Sequence, residues 1–561
     1  MTSARTSGPP AAALIGAWLV ATAGCAAPST TASGCQKDTQ CPTNQACMAS
    51  TCIAREAPTG TFSVELVPTS DANAAITQIN GVTFDGSSAA WTARPEVTIT
   101  GGLGLDATLV GSSHVIATLP SAIPGLADLQ FESEWPAGTK NTPTQFMLSV
   151  PDSVLGASAQ VDVLPTPPDD RKQAPISLQT KLATTLWLTF PADALTVHGR
   201  LVSAIKNGRD GFLARALQGA TVISNVAETQ SGGVFSLTIP TGNISSDPTA
   251  AITVELSPSD DQSADPRFTS HAVTLTSNTD LGDVHLPAYG QPNVFRFEVH
   301  GDSSTGDSIG NAVVHAHASI DGSTDGSADY TRSGPTNMQG VADLSLLPGT
   351  ADTLRPYDIT VVPPADSKFG VVCLPAFPLA AGGTAAAPAL ASKVVLPRRA
   401  VVSGTIIDAN QAPVVGMTIV ATRTDVSASG ACSTAVAVPS SITSRQSGQY
   451  QLLLDPGTYT IDYDPPAGAA VPRLTESAVP VAGDAERNVT LPAATLVEGV
   501  VQGVAGDTLA SVLIHLYRVR CSAIDQQPCS GPNRLPPLLR AIAHTDNTGA
   551  FRMVVPQGSG Y

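Results

Sequence analysis

The residues of this chain that could do chemistry are few, and nine cysteines are the most prominent of them. Cys35, Cys41, Cys47 and Cys52 form a compact Cys-x5-Cys-x5-Cys-x4-Cys cluster. Thiolates can bind zinc or join as disulfides, but structural zinc sites usually contain Cys-x-x-Cys pairs, which are absent here. A segment this short cannot surround a hydrophobic core, so covalent bonds must hold it together. We therefore predict two disulfides, with three connectivities open.

The other five cysteines are spread along the chain. An apolar run, Ala11 to Ala23, follows Arg5 and leads into Gly24-Cys25, which is the profile of an export signal. The sequence Thr22-Ala23-Gly24-Cys25 resembles a bacterial lipobox, although Thr22 stands where Leu is usual; cleavage after Ala23 without lipidation is the alternative. Lipidation of Cys25 leaves eight cysteines, an even number that can pair completely. The C-x-x-D-x-x-C-P pattern from Cys35 likewise resembles small modules next to the lipid anchors of bacterial surface proteins.

Two further groups could bind metal. His315 and His317 share a strand face, and Asp321, Asp325 and Asp329 lie in a Gly/Ser-rich loop. No third ligand is positioned by sequence, so we interpret them as polar residues on a solvent-facing strand and a solvated loop. The chain also lacks the Gly-x-Ser-x-Gly, His-Glu-x-x-His, Walker and Cys-x-x-Cys motifs. These observations predict a non-enzymatic protein with no cofactor and no metal site.

Composition indicates an all-β protein. Charged residues make up 13% and aromatic residues 4%, while 48 Gly and 45 Pro accompany 42% hydrophobic residues. This balance suits many short strands joined by turns. The net charge of -17 gives no electrostatic footprint for nucleic acid, so nucleic-acid binding is not expected.

A repeated pattern supplies the elements that must position these residues. The stretch Gly448-Gln-Tyr450-Gln-Leu452 before Pro456-Gly457 returns in altered form at Gly233, Gly340 and Gly549. Each copy follows a strand that reaches a glycine, at Gly199, Gly301, Gly404 and Gly499, and the first three units close on an apolar strand with a proline. A period of roughly 100 residues indicates tandem copies of one folding unit.

The predicted architecture is a rod-like array of tandem β-sandwiches preceded by a small disulfide-rich module, since the linkers are short and proline-containing. The predicted segments are a signal peptide at 1–24, a tether and Cys-rich module at 25–57, a divergent sandwich at 60–191, and repeats at 192–290, 291–397, 398–493 and 494–561.

The strand order of the repeats resembles the carboxypeptidase regulatory-like domain, a transthyretin-like sandwich related to Cna B-type surface repeats. The resemblance is best for Val401 to Pro492 and implies hairpin geometry and core packing rather than chemistry. Within this framework Cys521 and Cys529 are predicted to staple one hairpin loop. Cys373 and Cys432 are predicted to pair across the second and third repeats.

The fourth repeat stops where the third still has strands to come. A sandwich without those strands would expose its edges and half its core. We therefore expect either a truncated product or a unit that takes strands from a partner.

These features predict an exported scaffold protein, structural or adhesive, anchored to a membrane by lipid at the outer membrane or cell surface, with a periplasmic orientation left open. The alternative is a polysaccharide- or peptide-binding protein acting through residues 60–191. That region carries Trp91, Trp135 and Trp187, the tryptophans outside the signal segment. The tyrosines Tyr450, Tyr459 and Tyr463 occupy strand positions expected to pack inward.

Overall fold

The computed structural model describes residues 34–69, 74–103, 112–136, 144–171, 173–188, 193–244, 251–260, 263, 265–320, 325–348, 355–377, 391–425, 440–521 and 534–557. Among these residues, helix is limited to four single turns of 3-10 helix, at Asp38–Gln40, Asp152–Val154, Asp169–Arg171 and Thr241–Asn243. Strands form the rest of the regular structure, which confirms the all-β prediction.

The strands before residue 190 are β1 Gln45–Met48, β2 Thr51–Ala54, β3 Phe62–Val67, β4 Thr77–Val82, β5 Ser88–Thr92, β6 Glu96–Leu103, β7 Ser113–Leu119, β8 Leu129–Trp135, β9 Phe146–Pro151, β10 Ser158–Pro165, β11 Ile176–Lys181 and β12 Thr185–Leu188. Those of the first two repeats are β13 Ala194–Val202, β14 Phe212–Gln218, β15 Thr221–Val222, β16 Ala227–Glu228, β17 Val234–Pro240, β18 Ile252–Pro258, β19 Arg267–Ser270, β20 Thr279–His285, β21 Asn293–Gly301, β22 Val313–Ile320, β23 Gly326–Pro335, β24 Val341–Leu346, β25 Tyr357–Val362, β26 Val372–Phe377 and β27 Ser392–Leu396. Those of the last two are β28 Ala400–Ile407, β29 Thr418–Arg423, β30 Ser440–Thr443, β31 Gln449–Leu454, β32 Gly457–Asp464, β33 Leu474–Val481, β34 Ala485–Glu486, β35 Val489–Thr490, β36 Ala494–Gln502, β37 Leu513–Cys521, β38 Arg534–His544 and β39 Ala550–Pro556.

One topology recurs in every sandwich. The first strand of each repeat lies centrally in its sheet, pairing antiparallel with the Gly-x-aromatic strand and parallel with the closing strand. In the third repeat β28 pairs in this way with β31 and with β34 and β35. Strand β29 opens the opposite sheet and pairs with β30 and β32, and β32 pairs with β33.

The same order is present in the divergent N-terminal sandwich. Strand β6 pairs antiparallel with β9 and parallel with β12, while β10, β11, β7 and β8 form the facing sheet. This sandwich begins at β6, however, rather than at residue 60. It is therefore another copy of the repeat, whose sequence signature has diverged beyond the pattern seen at Gly448.

The repeated glycines and aromatics pack against each other across the first sheet. A Cβ atom placed on Gly199 would meet the ring of Phe235 at 2.5 Å, and one on Gly499 would meet Phe551 at 2.6 Å. The second repeat has Ala342 in place of the aromatic, and there Phe369 from the opposite side of the unit covers Gly301. The glycine thus provides the space that the ring fills, which explains why the two residue types recur together.

The two ends of the chain form one sandwich, and this changes two of the predicted domains. Strand β3 pairs antiparallel with β37, β4 pairs with β3, and β5 pairs parallel with β36. By comparison with the third repeat, these three N-terminal strands take the places of β32, β33 and β34–β35. The segment 60–191 therefore does not form a single domain, because its first three strands complete the sandwich of the fourth repeat. We call this unit, residues 62–93 and 494–556, the composite sandwich.

The composite sandwich has a core drawn from both ends. Phe62, Val64, Leu66 and Trp91 come from the N-terminal strands and pack with residues of β36 to β39. Leu516 and Phe551 are buried, whereas Leu513 is half-buried. The strands expected from a partner are thus supplied by the same chain, and the two ends of the array meet.

Neighbouring repeats also contact each other directly. Strand β19 of the first repeat pairs with β23 of the second, so that one sheet runs through both units and their buried cores are continuous. At the next junction the Arg399 side chain, which is 6% exposed, lies 3.3 Å from Asp455 and donates to the carbonyl oxygens of Ala365 and Ser367. These contacts limit rotation about the short linkers.

Candidate functional site at the junction of the chain ends

The Cys-rich module is held by two disulfides. Cys35 is bonded to Cys47 and Cys41 to Cys52, with Cα atoms 5.6 and 5.5 Å apart. Strands β1 and β2 form a hairpin in which Cys47 and Cys52 lie opposite each other, and each bonds to the segment before the hairpin. This confirms the disulfide-rich module and selects one of the three connectivities. The sulfur atoms of Cys35, Cys41 and Cys52 cluster within 4.8 Å because of these bonds, which consume the thiolates that zinc would need.

An ion-pair network joins this module to the composite sandwich. Asp38 accepts hydrogen bonds from Arg55, at 2.6 Å, and from Arg552 of β39, at 2.9 Å. Glu498 of β36 lies 2.8 Å from both guanidinium groups. The backbone N–H of Cys47, together with Arg552 and Arg55, lowers the pKa of the Asp38 carboxyl group. Two acids and two arginines therefore alternate around the interface, and each charge faces two of the opposite sign.

The module also contributes apolar contacts and a short strand pairing. Ala46 and Ile53 are buried against Leu496 and Val554 of the composite sandwich. Ala54 of β2 pairs with Thr495, whose hydroxyl group is hydrogen bonded to Glu56. The module thus lies on the composite sandwich as an added layer.

A buried polar cluster marks the pairing of β3 with β37. Glu65 lies 3.1 Å from His515 Nδ1 and accepts hydrogen bonds from Tyr517, at 3.3 Å, and from Gln78, at 2.9 Å. Burial raises the pKa of Glu65, but the hydrogen bonds from His515, Gln78 and Tyr517 outweigh it, and the net pKa is lowered. This carboxylate therefore favours the paired form of the two chain ends.

A cavity of about 740 Å³ lies between the composite sandwich and the loop that follows β32. Its wall is partly apolar, with Met48, Pro466, Val471, Ile542 and Phe551. The arginines that line it are paired, Arg473 with Asp462 and Asp464, and Arg552 with Asp38 and Glu498. None of the described residues that line it is a serine, threonine, cysteine or lysine, whereas His544, Asp546 and the ion-paired acids Asp464 and Glu498 do lie in the wall.

Several of the histidines and aspartates considered as metal ligands form ion pairs. His317 lies 3.3 Å from Asp329, and Asp325 bonds to His285 of the first repeat. His315 is on the same strand, and burial lowers its pKa. Within the described ranges, the cysteine group is the one metal-like cluster found, and Asp321 lies outside those ranges.

Two of the three tryptophans are core residues. Trp91 is 7% exposed in the composite sandwich, and Trp135 is 1% exposed and donates its indole N–H to the Thr144 carbonyl oxygen. Trp187 is 56% exposed and lies over Gly102 on the outer face of the three-stranded sheet β12–β6–β9. The predicted burial of Tyr450, Tyr459 and Tyr463 is confirmed.

The remaining cysteines are only partly described. Cys373 is disulfide-bonded, while Cys432 and Cys529 lie outside the described residues, as do Cys25 and the side chain of Cys521. The predicted pairs Cys373–Cys432 and Cys521–Cys529, and the lipidation of Cys25, therefore stay predictions. In the part of the chain that the structure describes, no helix is long and apolar enough to cross a membrane.

The sequence reasoning did not find the charged residues of the junction. Arg55 follows β2, Glu498 lies on β36 and Arg552 on β39, and none of the three belongs to a recognisable motif. A usable signal was present in the N-terminal strands, because three of the five strands that precede Glu96, β3 to β5, fill the places left open in the fourth repeat.

Comparisons with known proteins return solved structures at low sequence identity and low TM-score. No family model matches the chain, and no curated protein matches it. Among solved structures, the TIE protein of Bacillus anthracis is 12% identical and has a TM-score of 0.16, with 68% of this chain and 69% of that chain covered. A streptococcal ancillary pilin is 10% identical, with a TM-score of 0.19 and coverage of 54% and 99%. The major pilin subunit BcpA of Bacillus cereus is also 10% identical, with a TM-score of 0.14 and coverage of 54% and 100%. At these values the similarity adds nothing to what the strand pairing itself shows.

Proposed function

We propose that this protein is a non-enzymatic scaffold at the outer membrane or cell surface, structural or adhesive, held to the membrane by a lipid on Cys25. The observation that carries the proposal is the composite sandwich, in which three strands from one end of the array complete the unit at the other end. An array closed in this way resists unravelling from its ends, because the terminal units share one core.

The contacts between repeats support the same function. A sheet that continues through two units and a buried arginine at the next junction make the array stiff, which is useful in a structural or adhesive scaffold. The arginines that line the cavity are held in ion pairs, which is consistent with a structural wall.

The localisation part of the proposal is tested in cells. A metabolic lipid probe should label the exported protein, and a Cys25→Ser variant should lose the label and leave the membrane fraction. Protease added to intact cells should cleave the wild-type protein if it faces outward. An unlabelled wild-type protein of unchanged mass after signal cleavage would contradict lipid anchoring, and protection from protease would contradict surface exposure.

A second candidate function is polysaccharide binding, and it rests on Trp187. An exposed indole ring close to Gly102 on the outer face of a sheet is the kind of surface on which a sugar ring can stack. Binding to a glycan array that a Trp187→Ala variant loses would favour this function. Equal signals from the two proteins would exclude Trp187 as the platform.

A further inference from the structure

We infer that the fourth repeat is an acceptor for the N-terminal segment of a second copy of this chain, so that copies join by exchanging residues 35–93. We call this segment the plug, and residues 494–556 the acceptor. The inference concerns assembly and does not depend on where the protein is located.

The plug fills a defined site. Strand β3 pairs with β37 over Phe62 to Val67, and β5 pairs with β36 over Ser88 to Thr92. These strands occupy both sheets of the sandwich, so the plug contributes to the core from two sides. Without it, the inner faces of β36 and β37 would be exposed to water, including Val497, Val501 and Ile514, which are fully buried here. An acceptor without a plug is therefore a strong binding surface for another one.

Charge complementarity makes the site specific for this plug. Asp38 and Arg55 of the plug meet Arg552 and Glu498 of the acceptor, and Glu65 meets His515. Backbone pairing alone would accept many strands, whereas these partly exposed ion pairs select the segment that carries them. A second copy of the chain presents the same residues, and so it fits equally well.

The plug can move as one body. Both of its disulfides, Cys35–Cys47 and Cys41–Cys52, lie within it, so neither would break on exchange. Only Ala93, Arg94 and Pro95 separate β5 from β6, the first strand of the next sandwich. A connection this short and stiffened by proline is the kind of hinge at which domains exchange between copies.

The sandwiches between plug and acceptor decide which copy is completed. Pairing within one chain requires the sandwiches from β6 to β35 to bring the two ends together, whereas pairing between chains does not. The contacts at the site are the same in the two cases. Interfaces of this head-to-tail kind give rings where the geometry closes and open chains where it does not. Exchange thus gives dimers and longer head-to-tail assemblies of the full-length protein.

The test uses full-length proteins that carry one new cysteine each. A Glu65→Cys protein and a His515→Cys protein are mixed, unfolded in urea with the native disulfides intact, refolded together and oxidised. Exchange predicts a disulfide-linked heterodimer, with a peptide joining position 65 to position 515 in mass spectrometry. It also predicts a loss of monomer in light scattering as the protein concentration during refolding rises.

Controls separate exchange from random crosslinking. Ser319→Cys and Asp329→Cys proteins form the matched control, because these residues face each other within one hairpin of the second repeat. Mixing them should give no linked heterodimer. A second site pair, Thr92→Cys with Gln502→Cys, lies on paired strands and removes no ion pair, which covers the case in which loss of Glu65 or His515 impairs folding.

The outcomes decide the inference directly. Linked heterodimers from either site pair, without linked control proteins, support exchange. If the double variants Glu65→Cys/His515→Cys and Thr92→Cys/Gln502→Cys crosslink within one chain while neither mixture gives a heterodimer, pairing occurs only within a chain and the inference is wrong.

Discussion

The ring of Trp91 stacks on that of Phe551, with centroids 4.9 Å apart and planes within 7° of parallel. One residue lies in the last N-terminal strand of the composite sandwich and the other in its last C-terminal strand. The contact therefore joins the two ends of the chain inside a single core. Phe551 also covers Gly499, so the aromatic residue of the repeat and the added tryptophan form successive layers.

Replacing Trp91 should weaken this closure. Trp91→Ala removes a buried ring and its stacking contact with Phe551. We expect the free energy of unfolding of the composite sandwich to fall by about 3–5 kcal/mol. Hydrogen exchange of the amides in β36 and β39 measures this unit apart from the others. Trp187→Ala, which removes an exposed ring, should change it by no more than about 0.5 kcal/mol. Equal effects of the two substitutions would contradict the role of Trp91.

Removing the plug should unfold its acceptor and spare the third repeat. In a protein lacking residues 35–93, we expect the amides of β36 to β39 to exchange at least about a hundredfold faster, because the core loses three of its seven strands. Amides of β28 to β33 belong to a separate core and should keep their protection. Unchanged protection of β37 would show that the fourth repeat folds without the N-terminal strands.

Acid should weaken the composite sandwich through Glu65. Its pKa is lower in the folded state, so the stabilisation is present above the ordinary value of 4.5 and is lost as the pH falls through the folded-state value. Unfolding of this unit should thus become easier as the pH falls below about 4.5. In the Glu65→Gln variant that part of the dependence should disappear. A variant that retains the full wild-type slope would assign the effect to another acid.

Breaking the Arg399 contact should uncouple the second and third repeats. Arg399→Ala leaves Asp455 and two carbonyl oxygens without their partner, at a cost of about 3 kcal/mol. Calorimetry should then resolve separate transitions for two repeats that we expect to unfold together in the wild-type protein. Arg399→Lys keeps the charge but not the forked geometry, and an intermediate effect is expected. A single unchanged transition in both variants would show that the shared linker, not Arg399, couples the units.

The two disulfides should be needed for the Cys-rich module to stay folded. Cys35→Ser/Cys47→Ser should destabilise the module by about 3 kcal/mol and open the segment around β1 to protease.

Peptide mapping of the wild-type protein should recover Cys373 in oxidised form, and we predict that it is joined to Cys432. Recovery of Cys373 linked to any other cysteine would overturn that pairing.

The sequence by itself determined the type of fold, because the features that indicate it are local. They are the alternation of apolar and polar residues along short segments, the turn glycines and the repeated Gly-x-aromatic hairpin. Tyr450 and Phe235 are in the core because they occupy the inward-facing strand position of the Gly-x-aromatic pattern. The spacing of Cys35 to Cys52 was sufficient to predict disulfides. It also showed that the fourth repeat lacked strands.

Only the tertiary structure decided where those strands come from. The pairing of Phe62 with Arg518, or of Trp91 with Val501, joins segments whose local patterns are those of ordinary strands and name no partner. Register between distant segments depends on how cores and charges fit in space, as the contacts of Arg552 with Asp38 and Glu498 illustrate. The repeats can therefore be predicted from the sequence. The pairing of the N-terminal strands with the fourth repeat in the composite sandwich is seen only in the folded molecule.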